Sequence, residues 1–75
     1  MLAITMKLFA SLRAGRFEIQ QFTLDDGANV GDALARSGVP LTAVAVLFLN
    51  GRHAQADSRL AEGDTLSVFP PVGGG

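Results

Sequence analysis

Asn29-Val30-Gly31-Asp32-Ala33-Leu34-Ala35-Arg36-Ser37-Gly38-Val39-Pro40 is the stretch on which the fold turns. Asn29 is a good N-cap residue, and Asp32, three positions on, brings negative charge to the first turn, where unpaired N–H groups favour it. Val30, Ala33 and Leu34 fall on one face at helical spacing. Gly38 supplies a left-handed position just past the end and Pro40 blocks continuation, so the pattern predicts one short helix from Val30 to Ser37. Gly31 in the first turn weakens that reading. Without a helix here, the surrounding strands would fit a small barrel of the SH3 type.

Ahead of this stretch, Ile4, Met6 and Leu8 alternate with Thr5 and Lys7, the period of a half-buried strand from Ala3 to Phe9. Ala10 to Arg16, with Gly15, reads as a turn. Phe17 to Leu24 reads as a second strand whose alternation slips phase at Gln20-Gln21, which implies a bulge or a late strand start, and Asp25-Asp26-Gly27 closes it. These two strands form a hairpin. Beyond the helix, Val44 to Leu49 is apolar at every position, which in so short a run predicts a strand inside the sheet. Asn50-Gly51 suits a two-residue hairpin turn, after which Arg52 to Gln55 returns as a short strand. Asp57 to Leu60 is expected to make a single helical turn with Leu60 as an apolar plug. Glu62-Gly63-Asp64 is a tight turn, and Thr65 to Phe69 is the last strand, with Leu66 and Val68 on one face.

A hairpin, one helix and three further strands satisfy one another when a mixed sheet wraps its apolar face around the helix. The expected class is therefore α+β, a β-grasp (ubiquitin-like) fold with four to five strands on one helix. Residues 1–70 form the domain and 71–75 an extended, flexible, glycine-rich tail. A chain of 75 residues leaves no room for a second domain. Six basic and seven acidic residues are scattered without a Lys/Arg stripe, so nucleic acid is not an expected partner. No stretch approaches the roughly 18 apolar residues of a membrane span, and the expected location is cytoplasmic.

The chain has no cysteine and a single histidine, His53, beside the predicted hairpin turn. No metal site or nucleophilic catalysis can be assembled from that set, and His53 reads as an exposed turn residue. Asp25, Asp26, Glu62 and Asp64 sit where turns need them, so no acid/base pair is assigned. The chain ends in Pro70-Pro71-Val72-Gly73-Gly74-Gly75. The two prolines remove backbone donors and favour extended structure, ending the sheet. From Pro71 onward the chain reaches about 17 Å when extended, and glycines lack a Cβ to catch on the walls of a channel, so such an end can thread into another protein's active site.

Three segments resemble the ThiS/MoaD family of ubiquitin-like sulfur carriers: Lys7-Leu8-Phe9-Ala10-Ser11-Leu12-Arg13; Leu49-Asn50-Gly51 with Leu60-Ala61-Glu62-Gly63-Asp64; and Phe69-Pro70-Pro71-Val72-Gly73-Gly74-Gly75. The first and last look more like the MoaD branch, the small subunit of molybdopterin synthase. The resemblance implies that an E1-like adenylating enzyme uses ATP to activate the carboxylate of Gly75. A sulfurtransferase or cysteine desulfurase then supplies sulfur, leaving a thiocarboxylate. An α-carboxyl of ordinary pKa, about 3.5, is ionised at neutral pH but is a poor acyl donor until adenylation gives it a leaving group. With no cysteine in the chain, that sulfur must be imported, and the catalytic groups belong to the partners; the chain binds no cofactor of its own. The implied recipient is the molybdopterin synthase large subunit, or thiazole synthase if the carrier serves thiamine synthesis. Two readings stand beside the carrier: a ubiquitin-like protein modifier that forms isopeptide bonds, and a binding module with an inert tail.

A docking surface is also legible. Phe69 shares a strand face with Thr65 and Ser67, opposite Leu66 and Val68. If Leu47 and Leu49 face the helix, Phe48, Val46 and Val44 lie on the open side of the sheet. With Phe9 and Phe69 they would make an apolar patch for the partner.

Overall fold

Leu2, Ile4, Met6 and Leu8 of the first strand, β1 (Leu2–Leu8), are all buried, Met6 with no exposure at all. This computed structural model describes residues 1–71. β1 lies between β2 (Ile19–Leu24), antiparallel to it, and β5 (Thr65–Phe69), parallel to it. β3 (Val46–Leu49) runs antiparallel on the far side of β5, and the two-residue β4 (Arg52–His53) completes the order β2-β1-β5-β3-β4. One helix, α1 (Val30–Ser37), buries Val30, Ala33 and Leu34, which join Leu66, Val68 and the inward residues of β1 in a single core. The architecture is the β-grasp, with a mixed sheet wrapped on one helix, and the helix removes the barrel alternative.

α1 forms where its signals place it. Asn29 and Asp32 make a reciprocal capping box at 2.8 and 2.9 Å, and Gly38 takes a left-handed φ of 81°. The next two orphan N–H groups are met from outside the helix, Val30 N by Ser58 O and Gly31 N by Ala56 O. That duty explains the segment before β5, where the expected helical turn from Asp57 to Leu60 is absent. Its backbone is committed to α1: after a turn closed by Ser58 N on Gln55 O, Arg59 bridges Asn29 and Leu60 N donates to Ala28 O. Leu60 is buried there, as expected. The same closeness explains Gly31, since a Cβ at that position would sit 3.3 Å from Ala56 O.

Other strand limits move inward. β2 starts at Ile19, and its register with β1 runs unbroken, so the slip at Gln20-Gln21 marks a late start and not a bulge. Phe17 packs on the core from outside the strand. Ala10–Arg13 is a 3₁₀ turn that buries Leu12. Leu41–Ala43 is another, which delays β3 to Val46, and β4 ends at His53 where a strand to Gln55 was expected. Asn50 (φ 53°) and Gly51 (φ 82°) make the predicted turn between β3 and β4. Among the described residues, no helix is long and apolar enough to cross a membrane.

Candidate functional site

The strand registers fix what the open face of the sheet displays. Thr5 pairs with Thr65 and Lys7 with Ser67 across β1 and β5, while Val46 pairs with Phe69 and Phe48 with Ser67 across β3 and β5. One end of the face, carrying Ala3, Thr5, Gln21, Thr23 and Thr65, is polar or small. The other end, where the chain leaves the sheet through Pro70 and Pro71, is aromatic.

Phe9, Phe48 and Phe69 meet there. Phe9 follows Leu8 on β1 as Phe69 follows Val68 on β5, so the parallel register stacks the rings, with centroids 4.3 Å apart and planes 11° from parallel. Phe48 meets Phe69 edge-on at 5.7 Å and His53 edge-on at 5.2 Å. All three phenylalanines are half-buried, so each presents ring surface to solvent while resting on its neighbours. Val46, Pro70 and Pro71 complete a shallow depression of about 640 Å³ with Phe48, Phe69 and His53. This apolar surface, at the point where the chain departs the sheet, is the candidate docking site.

The structure brings the three expected aromatic residues together and corrects two neighbours. Val44 is not part of the patch: it precedes β3 and packs against the core. His53 lies in β4 and not in the turn, and although exposed it forms one wall of the depression. Ala10 and Ser11, which sequence reading passed over, also line it. Ala10 holds a left-handed φ of 53°, which turns the chain sharply after Phe9 and leaves the stacked rings uncovered. No sequence signal marks a small residue used this way. Pro71 is exposed at the edge of the site, whereas Val72, Gly73, Gly74 and Gly75 lie outside the described residues. Among the described residues, no group of His, Cys, Asp and Glu is arranged to hold a metal ion.

Comparison with known proteins sets this geometry in a family. A search of curated proteins returned no match. Among solved structures, the chain is similar to SAMP1 from Haloferax volcanii, with 27% identity over 97% of this chain and 99% of that one, at a TM-score of 0.79. It is also similar to a putative molybdopterin converting factor subunit 1 from Pyrococcus furiosus, with 30% identity over 96% of this chain and 100% of that one, at a TM-score of 0.76. A chain from the complex of subunits 1 and 2 of molybdopterin-converting factor from Helicobacter pylori, 19% identical over 99% of this chain and 100% of that one, shares the fold at a TM-score of 0.69. The model of the ThiS family matches residues 6–75, from the end of β1 through the other four strands, the aromatic end of the open face and the glycine run, and the chain belongs to the ThiS family.

Proposed function

We propose that the chain is a sulfur carrier which is adenylated and then thiocarboxylated at Gly75, and which donates that sulfur in molybdopterin (molybdenum cofactor) biosynthesis. In the first step a Gly75 carboxylate oxygen attacks the α-phosphate of ATP and pyrophosphate leaves. The persulfide of a sulfurtransferase or cysteine desulfurase then attacks the acyl carbon and displaces AMP, which carries off one carboxylate oxygen. A thiol cleaves the resulting acyl disulfide, being itself oxidised to a disulfide, to leave the thiocarboxylate. The thiocarboxylate is a soft nucleophile for a substrate held by another protein. The role of the folded domain is presentation: the aromatic end of the open face docks first on the E1-like adenylating enzyme and later on a molybdopterin synthase large subunit. The observation that carries the reading is the family match through residue 75, which joins that face and the glycine run in one pattern. The similarity to a putative molybdopterin converting factor subunit 1 favours the molybdopterin recipient over thiazole synthase.

A second reading, a ubiquitin-like modifier, is favoured by the similarity to SAMP1, described as a small archaeal modifier protein. Both readings need the same adenylation and part at the acceptor. The separating experiment is intact-mass analysis after incubation with ATP, the adenylating enzyme and a sulfur source. A terminal oxygen replaced by sulfur supports the carrier, and adducts on lysines of other proteins support the modifier. Deleting Gly74 and Gly75 should abolish either product and leave the melting temperature unchanged. A chain that emerges unmodified from the complete mixture refutes both.

A further inference from the structure

Lys7 is the only lysine of the chain, and β1 places it on the open face, two residues before Phe9. Its register partners are Ile19 on β2 and Ser67 on β5. Ser67 in turn pairs with Phe48, so the lysine stands one small residue away from the aromatic cluster. It is half-buried, and among the described residues it forms no ion pair. Beside it lies a cleft of about 200 Å³ lined by Lys7, Leu8, Phe9, Arg13, Glu18 and Ile19. The cleft therefore holds two cations and one carboxylate. That carboxylate is a weak occupant, because Arg13 meets Glu18 at 3.8 Å with both side chains at least half exposed.

Charge elsewhere is distributed the other way. Around the cleft, Lys7 and Arg13 face only Glu18. The remaining six acidic residues lie on other segments: Asp26 pairs with the N-terminus, Glu62 accepts from Ala3 N, Asp64 bonds Asn50, Asp32 caps α1, and Asp25 and Asp57 sit in the loops flanking its start. An ammonium at the margin of an apolar surface is tolerated in the free protein because it reaches water. Covered by a partner, it must be paired or it is left desolvated, at a cost larger than most single contacts contribute.

We infer that Lys7 determines which protein docks on this face: the partner inserts a carboxylate into the cleft between Lys7 and Arg13 while its apolar surface covers Phe9, Phe48 and Phe69. The inference rests on the carrier reading and adds the chemistry of the partner. A second copy of this chain is a poor fit, because a two-fold contact through the face would bring two cations from each copy against a single carboxylate, Glu18, that already faces Arg13. A neutral apolar partner does not fit either, since it would bury Lys7 unpaired, and this rejection is a source of specificity.

The test uses the full chain with the adenylating enzyme encoded in the same genome, reading chain-dependent ATP–pyrophosphate exchange across a range of salt concentrations. Lys7→Glu should lower kcat/KM on the order of 100-fold and Lys7→Met about tenfold, the loss lying in KM and not in kcat. Lys7→Arg should retain most activity. Glu18→Gln, which frees Arg13, should raise kcat/KM at low salt. Gln21→Glu alters net charge as much as Lys7→Met does, but on the polar end of the face, and should stay within about twofold of the parent. Melting curves confirm that each variant folds. If exchange proceeds and Lys7→Glu matches the parent, or Lys7→Met is the better substrate, the Lys7 inference fails and the carrier reading survives. If the folded parent supports no exchange, the carrier reading fails and takes the inference with it. Equilibrium sedimentation showing a micromolar dimer that Lys7→Met strengthens would also overturn it.

Discussion

Replacing Asn50 by alanine should be among the most damaging changes available at an exposed position, and its effect divides into two separable parts. Asn50 holds a left-handed φ of 53° in the turn between β3 and β4. Its side chain also spans to the start of β5, where Nδ2 donates to Asp64 Oδ1 at 2.8 Å and Oδ1 accepts from Thr65 N at 2.9 Å. Two such bonds contribute about 0.5 to 1.5 kcal/mol each, taken toward the lower end because both are exposed. Forcing a residue with a Cβ and no local hydrogen bond into the left-handed region adds about 1 kcal/mol. Asn50→Ala should therefore lose about 2 to 3 kcal/mol. For a chain of 75 residues the whole stability is roughly 4 to 11 kcal/mol, so the shift is easily resolved by urea unfolding. Asn50→Gly keeps the backbone geometry and loses only the bonds, so it should recover about 1 kcal/mol of that deficit. Asp64→Ala removes the shared partner and the bond from Ala61 N, and a double-mutant cycle with Asn50→Ala should show coupling of about 0.5 to 1 kcal/mol. An Asn50→Ala loss below about 0.5 kcal/mol, or an Asn50→Gly variant no better than Asn50→Ala, would refute the division.

Three further outcomes are expected. Asn29→Ala removes one half of the capping box and should destabilise by about 1 kcal/mol in urea unfolding, with Asp32→Ala close to it and the pair less than additive. Gly31→Ala, which in an open helix would stabilise by up to about 1 kcal/mol, should here destabilise by about 0.5 to 2 kcal/mol, because the added Cβ meets the Ala56 carbonyl and Asn29 Oδ1 at 3.3 Å; a raised melting temperature would contradict this. Met6→Ala, at a fully buried position, should lose about 2 to 5 kcal/mol and leave a marginal fold, whereas Phe69→Ala should lose less stability but lower kcat/KM for adenylation at least about tenfold, as measured by thermal melting beside pyrophosphate exchange.

The parts of the fold that were legible in the sequence are those in which a local signal and the long-range packing demand the same thing. Val30 to Ser37 is bounded by a capping box and a left-handed glycine, and Thr65 to Phe69 alternates cleanly; both were placed to the residue. Where the two demands diverged, sequence reading failed. Asp57 to Leu60 has the composition of a helical turn, but its backbone is taken up in satisfying α1's first N–H groups, a requirement written in residues more than twenty positions away. Val44 belongs by hydropathy to the run that follows, yet the 3₁₀ turn at Leu41–Ala43 rotates it toward the core. At the site, Phe9, Phe48 and Phe69 could be assigned to one face from strand period alone. The stacking of Phe9 on Phe69 could not, because it depends on the parallel register of strands sixty residues apart in sequence. Asn50 and Asp64 each read as ordinary turn residues, and only the sheet shows that they bond each other.

The sheet also separates what holds the protein together from what it offers to others. Its buried side, made of Ile4, Met6, Leu8, Leu66 and Val68 against Val30, Ala33 and Leu34, is closed, and among the described residues no buried side-chain polar atom is left unsatisfied. The opposite side contributes little to that core, yet three phenylalanines and a valine are kept at its aromatic end, where free folding gains less from them than polar residues would give in solubility. A small domain has little apolar area to spare, since at this size about 60% of the chain's surface is buried on folding. On the proposed reading, the apolar residues held on the uncovered face, beside the strand end through which Pro70 and Pro71 leave, serve binding. Substitutions on the two sides should accordingly fall into two classes, unfolding without altered recognition on one and altered recognition without unfolding on the other.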